Sequence, residues 1–206
     1  MIVFFKKSNP KNYIIYPVPT NLDDYHAVEI NDEQDLEGKV LVEYQGRAEL
    51  VNKPINDTYV WNGSEWVVDE EKLVKLKAQK IEQLKTQINA LRDEKSTGGC
   101  YVESLGKWFD SDQAAYNNLL GFKAETDLNG EKTTYWACAD NSLIEFDREK
   151  LKTVISTLWD VKTPNHATAL KHKAMLEQAE NPEDYDYSTG WVKSYADFVK
   201  EQTNDV

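Results

Sequence analysis

The sequence predicts an α+β protein with a small N-terminal β-rich module, a long connecting helix, and a C-terminal mixed α/β domain holding a hairpin and two or three helices. Three observations predict it. Residues 1–68 break into short runs rich in Val, Ile, Tyr and Trp separated by Gly, Pro and Asn, the composition of strands and turns. Residues 69–95 contain neither Gly nor Pro and repeat apolar side chains at helical spacing. From 96 to 180 short apolar runs alternate with helical stretches, and 181–206 follows as an extension opening near Pro182.

In the first module the candidate strands are residues 2–5, 13–16, 39–44, 48–51, 58–61 and 65–68, separated by turn sequences such as Ser8-Asn9-Pro10 and Gln45-Gly46. Residues 21–36 are acidic and mixed and read as a loop with one helical turn. The clearest element surrounds Asn62-Gly63, a pair that supplies the positive φ angles of a tight hairpin turn. Tyr59, Trp61 and Trp66 flank that turn. They are the candidate partner-binding residues, because Tyr and Trp give large contact area at low entropic cost. Burial of the two tryptophans beneath the following helix is the alternative use.

The connecting helix opens on Asp69-Glu70-Glu71, where negative charge suits the positive end of the helix dipole. Val74, Ile81, Leu84, Ile88 and Leu91 recur at spacings of 7, 3, 4 and 3, a seam of coiled-coil type that Lys77 interrupts. It serves either packing within its own domain or self-association. Ser96-Thr97-Gly98-Gly99 stops the helix.

Beyond it, residues 100–109 predict two short strands around a Gly turn. Asp110-Ser111-Asp112-Gln113 reads as the cap of a helix over 113–126, with Asp110 and Ser111 assigned to capping. Strands follow at 133–137 and 143–146. One helix is expected over 147–162 and, after Pro164, a second over 165–180. A weak helix is expected near 191–201. Trp108, Trp136 and Trp159 each have apolar neighbours in sequence and are expected in the core.

Composition bounds the function. With 206 residues, six Trp and eleven Tyr, the chain carries too much apolar and aromatic side chain for a disordered protein. Its net charge of −12 repels phosphate backbones and anionic membranes, so neither nucleic acid nor membrane is an expected partner. No apolar run approaches the roughly 20 residues that span a bilayer, and the opening Met1-Ile2-Val3-Phe4-Phe5-Lys6-Lys7 reads as a strand rather than a signal peptide. Cys100 and Cys138 are isolated, as expected of reduced thiols in a cytoplasm, though spacing alone leaves a disulfide open.

Nothing in the sequence assembles a catalytic constellation. His166 and His172 are six apart and fall on different faces of a helix, and His26 has no His or Cys at ligand spacing. All three read as ordinary surface or capping residues. Ser64 lacks the second glycine of a nucleophile elbow. Cys100 lacks a cause for a low pKa, and Gly98-Gly99 opens no phosphate loop. Asp110-Ser111-Asp112 begins like a calcium loop but is not completed. Asp184-Tyr185-Asp186-Tyr187 would suit a carbohydrate surface, without fixing any carboxylate separation. The expectation is a non-enzymatic chain with no metal and no cofactor.

The stretch 91–180 resembles an uncharacterised domain found at the C-terminal end of phage tail-fibre assembly and related tail proteins. The residues that carry the likeness are Leu91-Arg92-Asp93-Glu94, Gly98-Gly99-Cys100-Tyr101-Val102, Lys107-Trp108-Phe109-Asp110-Ser111-Asp112, Thr134-Tyr135-Trp136-Ala137-Cys138-Ala139-Asp140 and Leu143-Ile144-Glu145-Phe146-Asp147. The front is similar to such proteins at Val28-Glu29-Ile30-Asn31-Asp32-Glu33, at Gly38-Lys39-Val40-Leu41-Val42 and at the Trp61–Trp66 hairpin. Lys123 and Glu125 depart from the usual alanine-rich helix, and 181–206 lies outside the pattern. The resemblance implies a tail-fibre assembly protein or chaperone. Its implied partner is a phage tail-fibre protein, with the host cytoplasm as the implied location and the virion tail as a second one. A structural tail component that forms a homo-oligomer through the 69–95 helix is the alternative.

Overall fold

A computed structural model describes residues 1–32 and 36–204. Glu33, Gln34 and Asp35, part of the expected 21–36 loop and of the front resemblance, lie outside the described residues. So do the last two residues of the extension. The chain is α+β, with about 48% helix and 22% strand. It divides into two compact units, Met1–Leu76 and Lys77–Val206.

The first unit is built from antiparallel pairs. β1 (Ile2–Lys6) lies between β2 (Tyr13–Ile14) and β3 (Tyr25–Glu29). Val3, Phe4 and Phe5 are all buried, so this strand is covered on both faces, as its unbroken apolar run requires. β3 corrects the expected loop. Its sequence lacks a clean alternation, and it becomes a strand because β1 supplies a ladder partner at every position from Lys6↔Tyr25 to Ile2↔Glu29.

β4 (Lys39–Tyr44) and β5 (Arg47–Asn52) form the next hairpin, and β6 (Tyr59–Trp61) with β7 (Trp66–Val68) the third. Opposed residues share a face. Leu41↔Leu50 therefore presents one face of β4–β5, and these two side chains join Val3, Phe5 and Ile30 in the core. Val42↔Glu49 and Tyr44↔Arg47 present the other. The third hairpin covers that second face: Trp61 Nε1 donates to Glu49 Oε1 at 3.0 Å, and the Tyr44 ring fills the space beside Gly63. The unit is thus three β layers with β4–β5 in the middle.

α1 (Glu70–Thr97) crosses the division between the units. In the second unit it is followed by β8 (Cys100–Val102), a 3₁₀ turn, β9 (Lys107–Phe109) and α2 (Gln113–Asn129). Then come β10 (Thr134–Ala137), β11 (Leu143–Phe146), α3 (Arg148–Gln178) and α4 (Tyr195–Asn204).

α3 corrects the expected pair of helices, because it runs unbroken for 31 residues with Pro164 inside. Its buried residues Leu151, Val154, Leu158, Val161, Asn165, Ala169, His172 and Leu176 keep one stripe in phase across the proline. The front of the stripe joins Cys100, Phe109, Leu119 and Phe146 in the main core, and the rear packs on Leu84 and Ile88 of α1. Burial along both halves outweighs the hydrogen bond that Pro164 cannot make.

Three side-chain expectations change as well, at Trp159, Ser111 and His172. Trp159 is 55% exposed, because it is one residue past Leu158 and so turned about 100° off the buried stripe. Of the expected capping stretch it is Asp112 that caps α2, accepting the Ala115 amide at 2.7 Å. Ser111 is buried instead; its hydroxyl accepts from the Gly99 amide at 2.8 Å and donates to the Ser96 carbonyl at 3.1 Å. His172 is a buried residue rather than a surface one. It hydrogen-bonds the Tyr185 hydroxyl and the Thr189 carbonyl and stacks on Trp191, fastening the 182–192 segment to α3.

Candidate functional site: a lysine-flanked groove on the N-terminal module

The hairpin turn is centred one residue later than expected, on Gly63-Ser64, with the Asn62 amide donating to the Glu65 carbonyl at 3.1 Å and Gly63 rather than Asn62 at positive φ; it still aligns all three candidate partner-binding residues. The register pairs Tyr59 with Val68 and Trp61 with Trp66, so Tyr59, Trp61 and Trp66 share one face of β6–β7. Trp61 and Trp66 meet edge to face with ring centroids 5.5 Å apart, the geometry aromatic quadrupoles favour. Both are half-buried, and both indole N–H groups are used within this unit, Trp66 Nε1 donating to the Asn52 carbonyl at 2.7 Å. Their packing is against β5, not beneath the helix that follows.

The three then part company. Tyr59 and Trp66 line a groove of about 750 Å³, whereas Trp61 does not. The floor is apolar, with Phe5, Leu41 and Leu50 from the core strands. Ile55, on the loop between β5 and β6, stands 89% exposed at its border. Apolar side chains on a concave surface with a few polar groups are the usual make-up of a binding site.

Charge sets the groove apart from the rest of this acidic chain. Lys11, Lys39, Lys53 and Lys72 all line it, against one lining carboxylate among the described residues, Asp57. None of the four lysines takes part in an ion pair among the described residues, although thirteen such pairs occur elsewhere. Sequence reasoning named Tyr59 and Trp66 but missed these lysines and Ile55. The visible signal was Lys53-Pro54-Ile55, an apolar residue in a polar connecting loop where no element called for one.

The seam residues divide too. Leu84 and Ile88 are buried, with Ile81 half-buried beside them, against Ala169 and Leu176 of α3. Leu91 is half-buried and Val74 is 66% exposed. The apolar surface of Leu84 and Ile88 is therefore occupied within the chain, while Val74 remains open.

Reactive chemistry is muted elsewhere. Cys100 and Cys138 are buried and unpaired; burial pushes the Cys100 thiol up to about 12 and raises that of Cys138, the opposite of an activated nucleophile. Among the described residues no three His, Cys, Asp or Glu side chains gather as a metal site. No helix there is long and apolar enough to cross a membrane.

Residues 75–189 match the family described as Domain of unknown function (DUF4376). The chain belongs to this family. The DUF4376 match begins beyond every residue that lines the groove, so the groove lies outside it. The chain is also similar to an "Uncharacterized 23.3 kDa protein in lys 3'region" of Haemophilus phage HP1 (strain HP1c1), at 37% identity over 135 residues. That stretch is 66% of this chain and 64% of the relative, so the chain spans just under two thirds of the phage protein's length. No solved structure matches. A relationship to a phage-encoded protein is thereby shown.

Proposed function

We propose that this chain is a bacteriophage tail-fibre assembly protein. It binds a fibre protein through its N-terminal module and promotes folding or trimerisation in the host cytoplasm, either leaving afterwards or staying at the tip. It does this without catalysis, metal or cofactor. The observation that carries the reading is the groove: an apolar floor, two half-buried aromatic side chains and an exposed isoleucine, flanked by lysines that form no ion pair among the described residues. The likeness to a phage protein supports the setting, as does the resemblance of the sequence to tail-fibre assembly proteins.

The physics suits the task. A fibre chain before trimerisation exposes unpaired strand edges and apolar surface, which aggregate unless covered. An acidic, soluble chain with one adhesive groove can cover such a surface and release it. Co-expression with the neighbouring fibre gene product tests this: the fibre becomes soluble and trimeric with the wild-type chain and loses that benefit with Ile55→Asp. A fibre whose solubility and trimer content are the same with and without the chain removes the assembly role.

A second reading is favoured by the first turns of α1, where Leu73, Val74 and Leu76 are exposed. It makes the chain a structural tail component that oligomerises through the 69–95 helix. Stoichiometric presence in purified particles, with a trimeric mass in solution, would select it.

A further inference from the structure

We propose that the groove receives an extended, acidic segment of the partner protein as an added strand along the free edge of β4. This deepens the fibre-binding reading and rests on it. Three consecutive residues of β4, Lys39, Val40 and Leu41, line the groove. Successive residues of a strand point to opposite faces, so a groove touched by three in a row is not confined to one face; with Leu50 and Lys53 also lining it, it lies at the open end of the β4–β5 hairpin and takes in the start of the β4 edge.

Among the described residues β4 has one ladder partner, β5. The Lys53 amide donates to the Gly38 carbonyl at 2.8 Å, which makes Gly38 and Lys53 a hydrogen-bonded position of the antiparallel ladder. By the alternation of that ladder, the main-chain groups of Lys39 and Leu41 point away from β5. Neither makes a hydrogen bond outside the ladder among the described residues. An extended segment laid on this edge gains main-chain bonds, and its alternate side chains reach the apolar floor.

The charge of the occupant follows from the flanking residues. Lys11, Lys39, Lys53 and Lys72 all line the groove, with Asp57 the single lining carboxylate among the described residues. They attract carboxylates locally. A long polyanion such as nucleic acid extends past the groove and meets a chain whose total net charge is −12, and is repelled. A short acidic stretch of polypeptide satisfies both constraints, and only a polypeptide can use the strand edge.

The test uses the full chain and a labelled decapeptide of alternating Glu and Val, read by fluorescence anisotropy. Its Gln–Val and Lys–Val counterparts and an oligonucleotide serve as competitors. The Glu–Val peptide is expected to bind, more weakly as salt rises, and at least about tenfold more weakly to the Lys53→Glu/Lys72→Glu variant. N-methylation of one set of alternate peptide amides abolishes binding, and methylation of the other set does not. Circular dichroism of the Lys53→Glu/Lys72→Glu chain itself, substituted at two exposed positions, verifies that loss of binding is not loss of fold. Absence of Glu–Val binding, equal binding of the other peptides, indifference to methylation or displacement by the oligonucleotide each overturns the proposal. If fibre protein co-elutes equally with wild-type and Lys53→Glu/Lys72→Glu chains, strand addition is lost while the assembly role stands. If the peptide binds as expected but co-expression leaves the fibre unchanged, the assembly role is lost and the groove's chemistry stands.

Discussion

Asp197 lies in the first turn of α4, where its carboxylate accepts from Lys95 and from both the amide (2.9 Å) and hydroxyl (2.7 Å) of Ser194. The Ser194 hydroxyl in turn accepts the Asp197 amide at 3.3 Å, a reciprocal capping arrangement. Burial pulls this carboxyl upward, but the bonds from Lys95 and Ser194 prevail and hold it at about 2, below its ordinary value of 3.8. A depressed carboxylate stabilises the fold above its unfolded pKa and loses that contribution as pH falls through the folded value. Between pH 4 and 2 the wild type should therefore lose roughly 2 kcal/mol that Asp197→Asn has already lost at neutral pH. Urea unfolding of both chains across that range checks it, and parallel pH profiles would contradict it. Gly63 offers a second residue-scale outcome. At φ +102°, with a Tyr44 ring carbon 2.5 Å from where a Cβ would sit, Gly63→Ala should cost about 1–2 kcal/mol. Denaturant midpoints measure this.

At the scale of elements, α3 and α1 show burial overriding local preference. Pro164 is exposed inside a helix that packs along its whole length, so its missing N–H is a cost with no packing return. Pro164→Ala should raise stability by about 1–3 kcal/mol, and a lower melting temperature would show that the ring has a packing role. In α1, Ile88 is fully buried and Val74 is 66% exposed. Ile88→Ala should cost about 2–5 kcal/mol, whereas Val74→Ala should stay within about 0.5 kcal/mol. Similar losses at both positions would mean that Val74 is covered in solution, which is the signature of oligomerisation through the helix. The heptad pattern was legible in the sequence. Its use was not, since Ala169 and Leu176, which cover Leu84 and Ile88, come some 80 residues later in the chain.

For the whole molecule, charge governs encounter. A net charge of −12 should leave the chain unbound to duplex DNA in an electrophoretic shift assay at about 0.15 M salt. A complex there would place the lysine groove in a different role. The fold class was readable from the alternation of turn-bounded apolar runs and helical stretches, and so was the Asn62-Gly63 hairpin with its aromatic residues. These are local properties: a glycine's freedom at positive φ, a period of two or 3.6, a proline or acidic start. What tertiary structure decided was everything that depends on a distant partner. β3 exists because β1 lies beside it, α3 stays whole because its stripe is buried on both sides of Pro164, and Ser111 serves Gly99 rather than α2. The groove belongs to the same class. Lys11, Lys39, Lys53 and Lys72 are scattered over some sixty residues of an acidic chain, and only the packing of the N-terminal module gathers them around one groove.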